Sequence, residues 1–200
     1  MRKTLLFKLG FAMLATIISA QAGPPLICHP YNIGDAKSLP WGTGSNWNAP
    51  DPAYNIRNLV SDTLAILDQG APVLVRMETL RRAVLYGVND HAVARVLLAE
   101  LERREIAKPT ANGYFDYGYF LASLNQINWL YKEDLSAGID GYQFVEKALA
   151  LAPDSPELHF AAAIMAASPP RPVERDAHLA RARAAKSDAL LAQNLATHFQ

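Results

Sequence analysis

The sequence predicts an all-α protein, in which antiparallel helix pairs stack into an α-α superhelix behind an extended proline- and glycine-rich arm. Apolar residues recur at helical spacing from residue 51 onward, and no segment has the sustained alternation of a half-buried strand. Of the 200 residues, 50% are hydrophobic and 19% are charged, which is typical of a globular chain and excludes a disordered one. A third observation is an alanine-rich junction between helices that recurs after 34 residues.

Residues 1–22 have the features of a secretory signal peptide. Arg2 and Lys3 form a positive start, an apolar stretch follows, and Ala20-Gln21-Ala22 predicts cleavage between Ala22 and Gly23. The unbroken apolar run is about ten residues, shorter than the roughly 20 that span a bilayer. We therefore expect an exported chain, periplasmic or secreted, that does not span the membrane; the alternative is an uncleaved membrane anchor.

The charge balance bears on the class of partner. The full chain has 19 basic and 19 acidic residues, and loss of Arg2, Lys3 and Lys8 with the signal peptide leaves a net charge of about −3. Such a chain is not drawn to phosphates by its overall field, so we expect no nucleic-acid partner. The single cysteine excludes an internal disulfide framework.

Residues 23–50 are predicted to form the extended arm. Prolines fix the backbone and remove amide donors, so no long helix fits here. The arm also contains apolar and aromatic side chains that need burial, and we expect it to pack along the helical body. A mobile arm that orders on a partner is the alternative. These side chains are Leu26, Ile27, Tyr31, Ile33, Leu39, Trp41 and Trp47.

The helical domain is predicted over residues 51–200. Asp51-Pro52 predicts the start of a first helix that ends at Gly70, and Pro72 opens a second helix that ends near Gly87. Asp90 caps a third helix, and a long fourth helix is predicted over 113–131. Short connections between such helices make neighbours antiparallel.

The recurring junction lies within residues 142–163. Pro153 stops one helix, Ser155-Pro156 caps the next, and Ala148 allows two helices to approach closely. A shift of 34 residues relates Val145 to Leu179, Ala148 to Ala182, Ala150 to Ala184 and Pro153 to Ser187. The junction resembles that between tetratricopeptide repeats, and the resemblance covers roughly residues 113–199. It implies stacked helix pairs whose groove binds a protein or peptide, with no catalytic residue and no cofactor.

The chain departs from the tetratricopeptide pattern at two places. The spacing Tyr114-x-x-Tyr117-Gly118-x-x-Leu121 fits the first helix of a repeat, but Gly141 then follows about eleven residues late. This predicts an unusually long helix or an irregular loop between them. In the next repeat, His159 replaces the preferred tryptophan and Ala162-Ala163 replaces Leu-Gly.

Tyr114, Tyr119 and His159 are the candidate binding residues. Tyrosine offers contact area and a hydrogen bond at low entropic cost, so Tyr114 and Tyr119 are candidates for a groove. His159 is predicted to be a hydrogen-bonded core or groove histidine, since the chain has no His-Glu-x-x-His motif.

Cys28-His29 is the weak candidate for a metal site. Thiolate and imidazole are good ligands for copper or zinc, but two adjacent ligands make no closed site and no Cys-x-x-Cys occurs. A packed cysteine beside a surface histidine and an intermolecular disulfide are the other interpretations. We predict no bound metal.

No nucleophile elbow, phosphate-binding loop or dinucleotide motif occurs, so we predict a protein that is not an enzyme. The acids Asp116, Glu133, Asp134 and Asp140 are expected to cap helices or face solvent. Two arginine-rich groups are expected to lie on solvated faces: Arg76, Arg81 and Arg82 in the second helix, and residues 171–186 near the end.

The leading hypothesis is an exported, non-catalytic scaffold or protein- or peptide-binding module. One alternative is a metal-binding or enzymatic envelope protein that uses Cys28-His29. The other is a structural subunit of an envelope complex, with the arm docked into a neighbour. The oligomeric state is left open.

Overall fold

A computed structural model describes residues 23–43, 46–185 and 188–199. Over these residues the chain forms nine α-helices and no strand, apart from an isolated bridge between Ala167 and Pro170, which confirms the all-α class. The predicted signal peptide, Ala22 and Ser187 lie outside the described residues. The helices are α1 Leu59–Asp68, α2 Val73–Gly87, α3 His91–Ala107, α4 Ala111–Gln126, α5 Asn128–Tyr131, α6 Tyr142–Leu151, α7 Pro156–Met165, α8 Pro172–Arg183 and α9 Ala189–His198.

Several helix boundaries follow from the local chemistry that predicted them. The Asp90 carboxylate caps α3 by accepting hydrogen bonds from the first amides of that helix. The Ser155 hydroxyl accepts from the Leu158 amide at the start of α7. Gly70, with φ of +73°, follows α1 in a left-handed conformation that suits glycine. Pro72 immediately precedes α2.

The first helix begins later than predicted. The Asp51 carboxylate accepts from the Ala53 amide at 2.9 Å and closes a local turn instead of capping α1. Asn55 caps a short 3₁₀ turn, Ile56–Asn58, and α1 follows directly. Asp51-Pro52 therefore marks a turn, because the aspartate bonds only two residues ahead.

The predicted helix over 113–131 is two helices. Thr110 caps α4 through the Gly113 amide, and α4 ends at Gln126. After Ile127 comes the single turn of α5, which ends at Lys132 in a left-handed conformation with φ of 54°. Trp129 is 62% exposed, whereas Tyr131 is buried.

Helix α4 lies at the centre of the structure. It packs most extensively against α6 and also contacts α2, α3 and α7, and α7 packs closely on α8. The α4–α6 contact depends on small residues. A methyl group on Gly118 would lie 2.6 Å from Cβ of Phe144 and 2.7 Å from the carbonyl oxygen of Gly141. The two backbones touch here because neither glycine has a side chain.

The core is continuous through all nine helices' buried faces and includes side chains from residues 23–50. Within the described part of the chain, no helix combines the length and the apolar character that crossing a membrane requires. The shared core holds the N-terminal residues against the helices, and the candidate site lies where they meet.

Candidate functional site

The N-terminal segment, residues 23–50, lies against one face of α2, α4, α7 and α9. It contains no helix or strand over its described residues, 23–43 and 46–50. Leu26, Ile27, Tyr31 and Leu39 are between 0% and 3% exposed. We call the face of α2, α4, α7 and α9 that contacts this segment the docking surface.

Arginine side chains of α2 bind the backbone of the N-terminal segment. Nη1 of Arg81 donates to the carbonyl oxygens of Ile27 and Trp47, each at 3.0 Å. Nη1 of Arg82 donates to the carbonyl oxygen of Leu39 at 2.5 Å. Three carbonyls of an irregular segment therefore find donors on one helix, which satisfies groups that burial would otherwise leave unpaired.

Amide side chains of α9 and α4 bind two further positions of the segment. Asn194 accepts from the Asn32 amide at 2.9 Å and donates to the Asn32 carbonyl at 2.8 Å. Oε1 of Gln126 accepts from the Leu26 amide at 2.9 Å. The docking surface thus bonds to both donors and acceptors of the segment's main chain.

Glu78 of α2 organises the charged part of the docking surface. Its carboxylate accepts from Nε and Nη2 of Arg81, both at 2.8 Å, from Nε of Arg82 at 2.7 Å and from the Tyr31 amide at 3.0 Å. Burial alone would raise the pKa of Glu78, but the two guanidinium groups and the amide hold it below its ordinary value. Glu78 is therefore ionised at neutral pH.

The predicted solvated face of α2 is wrong. Arg81 is 0% exposed and Arg76 is 3% exposed, and only Arg82 of the three is half-buried. Both buried arginines have a buried acid as partner: Glu78 for Arg81 and Asp116 for Arg76. Polar side chains resemble surface residues in a sequence pattern. The pattern does not show that the N-terminal segment covers Arg81, or that Arg76 pairs with Asp116 of α4. In the predicted second group, Arg181 and Arg183 are exposed as expected.

Tyr31 is the aromatic anchor of the N-terminal segment. Its ring stacks on His198 at 4.8 Å between centroids and meets the edge of Phe160 at 6.2 Å. The Tyr119 hydroxyl donates to the Tyr31 hydroxyl at 2.9 Å. Tyr119, a candidate groove residue, lies on the docking surface and is 0% exposed, because the docked segment covers that face of α4.

His198 of α9 is buried between Tyr31 and His29, and its ring meets that of His29 edge-on at 5.9 Å. Burial lowers the pKa of His198 to about 4, so the imidazole is neutral at physiological pH. The N-terminal segment therefore docks against an uncharged ring.

Replacing His198 with phenylalanine is expected to reduce the acid sensitivity of the fold. An unfolded histidine titrates near 6.5 and the folded one near 4, so acidification from pH 7 to pH 5 protonates only the unfolded chain. This residue then accounts for about 2 kcal/mol of lost stability. Urea unfolding of the wild-type chain and of the His198→Phe chain, each at pH 7 and at pH 5, measures this loss of stability. Asp116 titrates in both, so its opposite contribution cancels; equal losses in the two proteins would contradict the assignment.

Cys28 and His29 lie in the N-terminal segment and are both partly buried. Burial raises the pKa of the Cys28 thiol and lowers the pKa of His29. Over residues 23–43, 46–185 and 188–199, no cluster of three or more histidine, cysteine, aspartate or glutamate side chains has an arrangement that holds a metal ion. The metal-site alternative therefore has no third ligand among these residues.

His159 lies outside the docking surface, in a chain of hydrogen bonds. It is 2% exposed; its Nε2 contacts the Pro153 carbonyl at 2.8 Å and its Nδ1 contacts Nδ1 of His178 at 2.9 Å. The Tyr142 hydroxyl completes the chain at Nε2 of His178, at 3.0 Å. His159 thus has the hydrogen-bonded interior position that was one of its two predicted roles. Tyr114 is partly buried, with the Lys147 ammonium 5.4 Å from its ring centre.

The predicted acids divide into two groups. Asp134 and Asp140 accept from backbone amides two residues ahead, as expected of turn and cap residues. Asp116 is different, because it is 7% exposed and accepts from Nη1 of Arg76 at 2.6 Å. Burial raises the pKa of Asp116 to about 6. The predicted capping or solvated role is therefore wrong for Asp116.

Sequence reasoning missed Glu78, Gln126 and Asn194. The spacing of Glu78 to Arg81 and Arg82, three and four residues apart, was a readable signal for ion pairs on one helix face. Comparison with protein-family models, with curated proteins and with solved structures finds no match to this chain.

Proposed function

We propose that the protein is an exported, non-catalytic scaffold that binds an extended segment of a partner protein on its docking surface. The observation that supports this is the way the surface holds the N-terminal segment. Side chains of α2, α4 and α9 bond to main-chain groups of that segment, while Leu26, Ile27 and Tyr31 fill apolar positions. Main-chain bonds with side-chain pockets are the general means of recognising an extended peptide.

The order of helix contacts supports a tetratricopeptide-like arrangement. Helices α2, α4, α7 and α9 share the docking surface, and α3, α6 and α8 alternate with them along the chain. Alternate helices line one face when helix pairs stack. Positions 34 residues apart are buried in both copies: Val145 with Leu179, and Ala148 with Ala182. The eleven extra residues of the earlier repeat correspond to α5 and the loop before α6.

The docked segment favours a binding module over a structural subunit whose arm inserts into a neighbour. The segment contacts helices of its own chain, and its fully buried side chains leave little to offer a neighbour. The features of residues 1–22 support an exported location, periplasmic or secreted. In this proposal the N-terminal segment occupies the surface until a partner segment replaces it.

A peptide exchange experiment tests the proposal. The Tyr31→Ala chain is expected to bind a fluorescent peptide of residues 23–43 at least tenfold more tightly than the wild-type chain does. The substitution weakens the intramolecular segment and leaves the docking surface intact. In the wild type, the tethered segment competes at an effective concentration in the millimolar range. Fluorescence anisotropy titration measures both affinities.

Two controls make this result specific. A peptide that itself has Tyr31→Ala is expected to bind neither chain well, because it lacks the anchor. The Tyr142→Ala chain removes a buried tyrosine that contacts His178 outside the docking surface, and it is expected to behave like the wild type. The proposal fails if the native peptide binds the Tyr31→Ala chain no better than the Tyr142→Ala chain.

A further inference from the structure

The N-terminal segment forms a single turn at its buried aliphatic residues. The Pro24 carbonyl oxygen accepts from the amides of Ile27 and Cys28, at 3.1 and 3.0 Å. Pro25 takes the second position of this turn, where the fixed φ of proline suits the backbone. The proline therefore favours the turn before the segment meets the docking surface.

The turn allows two adjacent side chains to be buried together. In an extended chain neighbouring side chains point to opposite sides, so only one of them would face the docking surface. Leu26 and Ile27 are instead each 0% exposed. The Leu26 amide donates to Gln126, and the Ile27 carbonyl accepts from Arg81. The docking surface thus fits a turn that presents a pair of aliphatic side chains.

A second position of the docking surface fits one aromatic ring. His198 of α9 stacks on the Tyr31 ring. Phe160 of α7 and Tyr119 of α4 meet this ring edge-on, with centroids 6.2 and 6.5 Å away. Residues 28–30 before it are partly buried or exposed, whereas Tyr31 is 3% exposed. The aromatic position therefore lies at a fixed spacing of four residues from the end of the aliphatic pair.

The Tyr119 hydroxyl distinguishes tyrosine from phenylalanine at this position. It donates to the Tyr31 hydroxyl at 2.9 Å, and both residues are buried. A phenylalanine ring would fill the same space but would leave the Tyr119 hydroxyl buried without this partner. An unpaired buried hydroxyl costs free energy, whereas removal of both hydroxyls is nearly neutral.

We propose that the segment that replaces the N-terminal one carries the pattern Pro-Leu-Ile-x-x-x-Tyr, in which x marks a position that the docking surface leaves partly open. The proline sets the turn, the aliphatic pair fills the apolar positions, and the tyrosine hydroxyl bonds to Tyr119. The partner is a protein that presents this pattern in an unfolded stretch. Tyr119 is the residue that determines the preference for tyrosine. The inference rests on the proposed function, since it describes the partner of the same surface.

A cycle of two chains and two peptides tests the preference for tyrosine. The chains are Tyr31→Ala and Tyr31→Ala with Tyr119→Phe; the fluorescent peptides are residues 23–43 and the same peptide with Tyr31→Phe. On the Tyr31→Ala chain, the Tyr31→Phe peptide is expected to bind about tenfold more weakly than the native peptide. On the chain that also has Tyr119→Phe, it is expected to bind at least as tightly as the native peptide. Fluorescence anisotropy titration measures the four affinities.

The outcomes of this cycle separate the inference from the proposed function. The same ratio of affinities for the two peptides on both chains would overturn the inference and leave the proposed function intact. Failure of the native peptide to bind the Tyr31→Ala chain would overturn the proposed function, and the inference with it. Equal binding of the two peptides to the Tyr31→Ala chain would also overturn the inference, and this comparison does not depend on the folding of the Tyr119→Phe variant.

A matched pair of peptides tests the aliphatic positions. Ile27→Ser removes a fully buried apolar side chain and is expected to weaken binding to the Tyr31→Ala chain at least tenfold. Ile33→Ser makes the same change at a partly buried isoleucine and is expected to weaken binding less. Equal losses for the two peptides would overturn the pattern.

Discussion

Replacing Glu78 with alanine is expected to lower the free energy of unfolding by about 3–5 kcal/mol. Glu78 is 0% exposed and is the carboxylate partner of both Arg81 and Arg82. Its loss leaves the Arg81 guanidinium buried without a negative charge, and it also removes the acceptor of the Tyr31 amide. Urea unfolding of the chain from Gly23, followed by circular dichroism, measures the effect.

The control for this experiment is an ion pair on the surface. Glu133 is exposed and pairs with Arg95, so Glu133→Ala is expected to leave the unfolding midpoint almost unchanged. The Glu78→Ala chain is further expected to expose residues 23–43 to protease before it unfolds globally, since the backbone bonds of the segment depend on this cluster. Similar midpoints for the two variants would show that Glu78 does not hold the segment.

Replacing Gly118 with alanine is expected to separate α4 from α6 and to destabilise the chain by about 3 kcal/mol. The new methyl carbon would lie 2.6 Å from Cβ of Phe144 and 2.7 Å from the Gly141 carbonyl oxygen. The second contact is with backbone, so no rotamer change relieves it. Thermal unfolding is expected to show a fall of roughly 6–12 °C in Tm.

The same substitution at Gly113 is the matched control on helix α4. There the nearest atom to an added methyl carbon is the Thr110 hydroxyl oxygen at 3.1 Å, which belongs to a short side chain at the helix start. Gly113→Ala is therefore expected to change stability little, because improved helix propensity offsets the mild crowding. A loss at Gly113 as large as that at Gly118 would mean that the α4–α6 contact is not the cause of the destabilisation.

Helix ends with a local cause were predictable from sequence. Asp90, Ser155 and Pro72 act on residues two to four positions away, and the structure confirms each. The break between α4 and α5 was not predictable, because the apolar pattern of residues 113–131 continues through Ile127. Helix α4 packs against α6, which lies beyond a loop of ten residues, and no local pattern reports such a contact.

The candidate site was predictable only in part. The apolar side chains of residues 23–50 showed that this segment needs burial, but not which helices bury it. The bond from Tyr31 to Glu78 spans 47 positions and that from Asn32 to Asn194 spans 162. No local pattern encodes such pairings. For the same reason, the sequence did not show that a distant segment covers Tyr119.

The pairing of Asn32 with Asn194 has a consequence for how the chain acquires its structure. Neighbouring helices fold through contacts close in sequence, whereas the contacts of Tyr31 and Asn32 with His198 and Asn194 require α9, formed by residues 189–198. Contacts of such large sequence separation slow folding. Until α9 has formed, Tyr31 and Asn32 lack part of the surface that they cover.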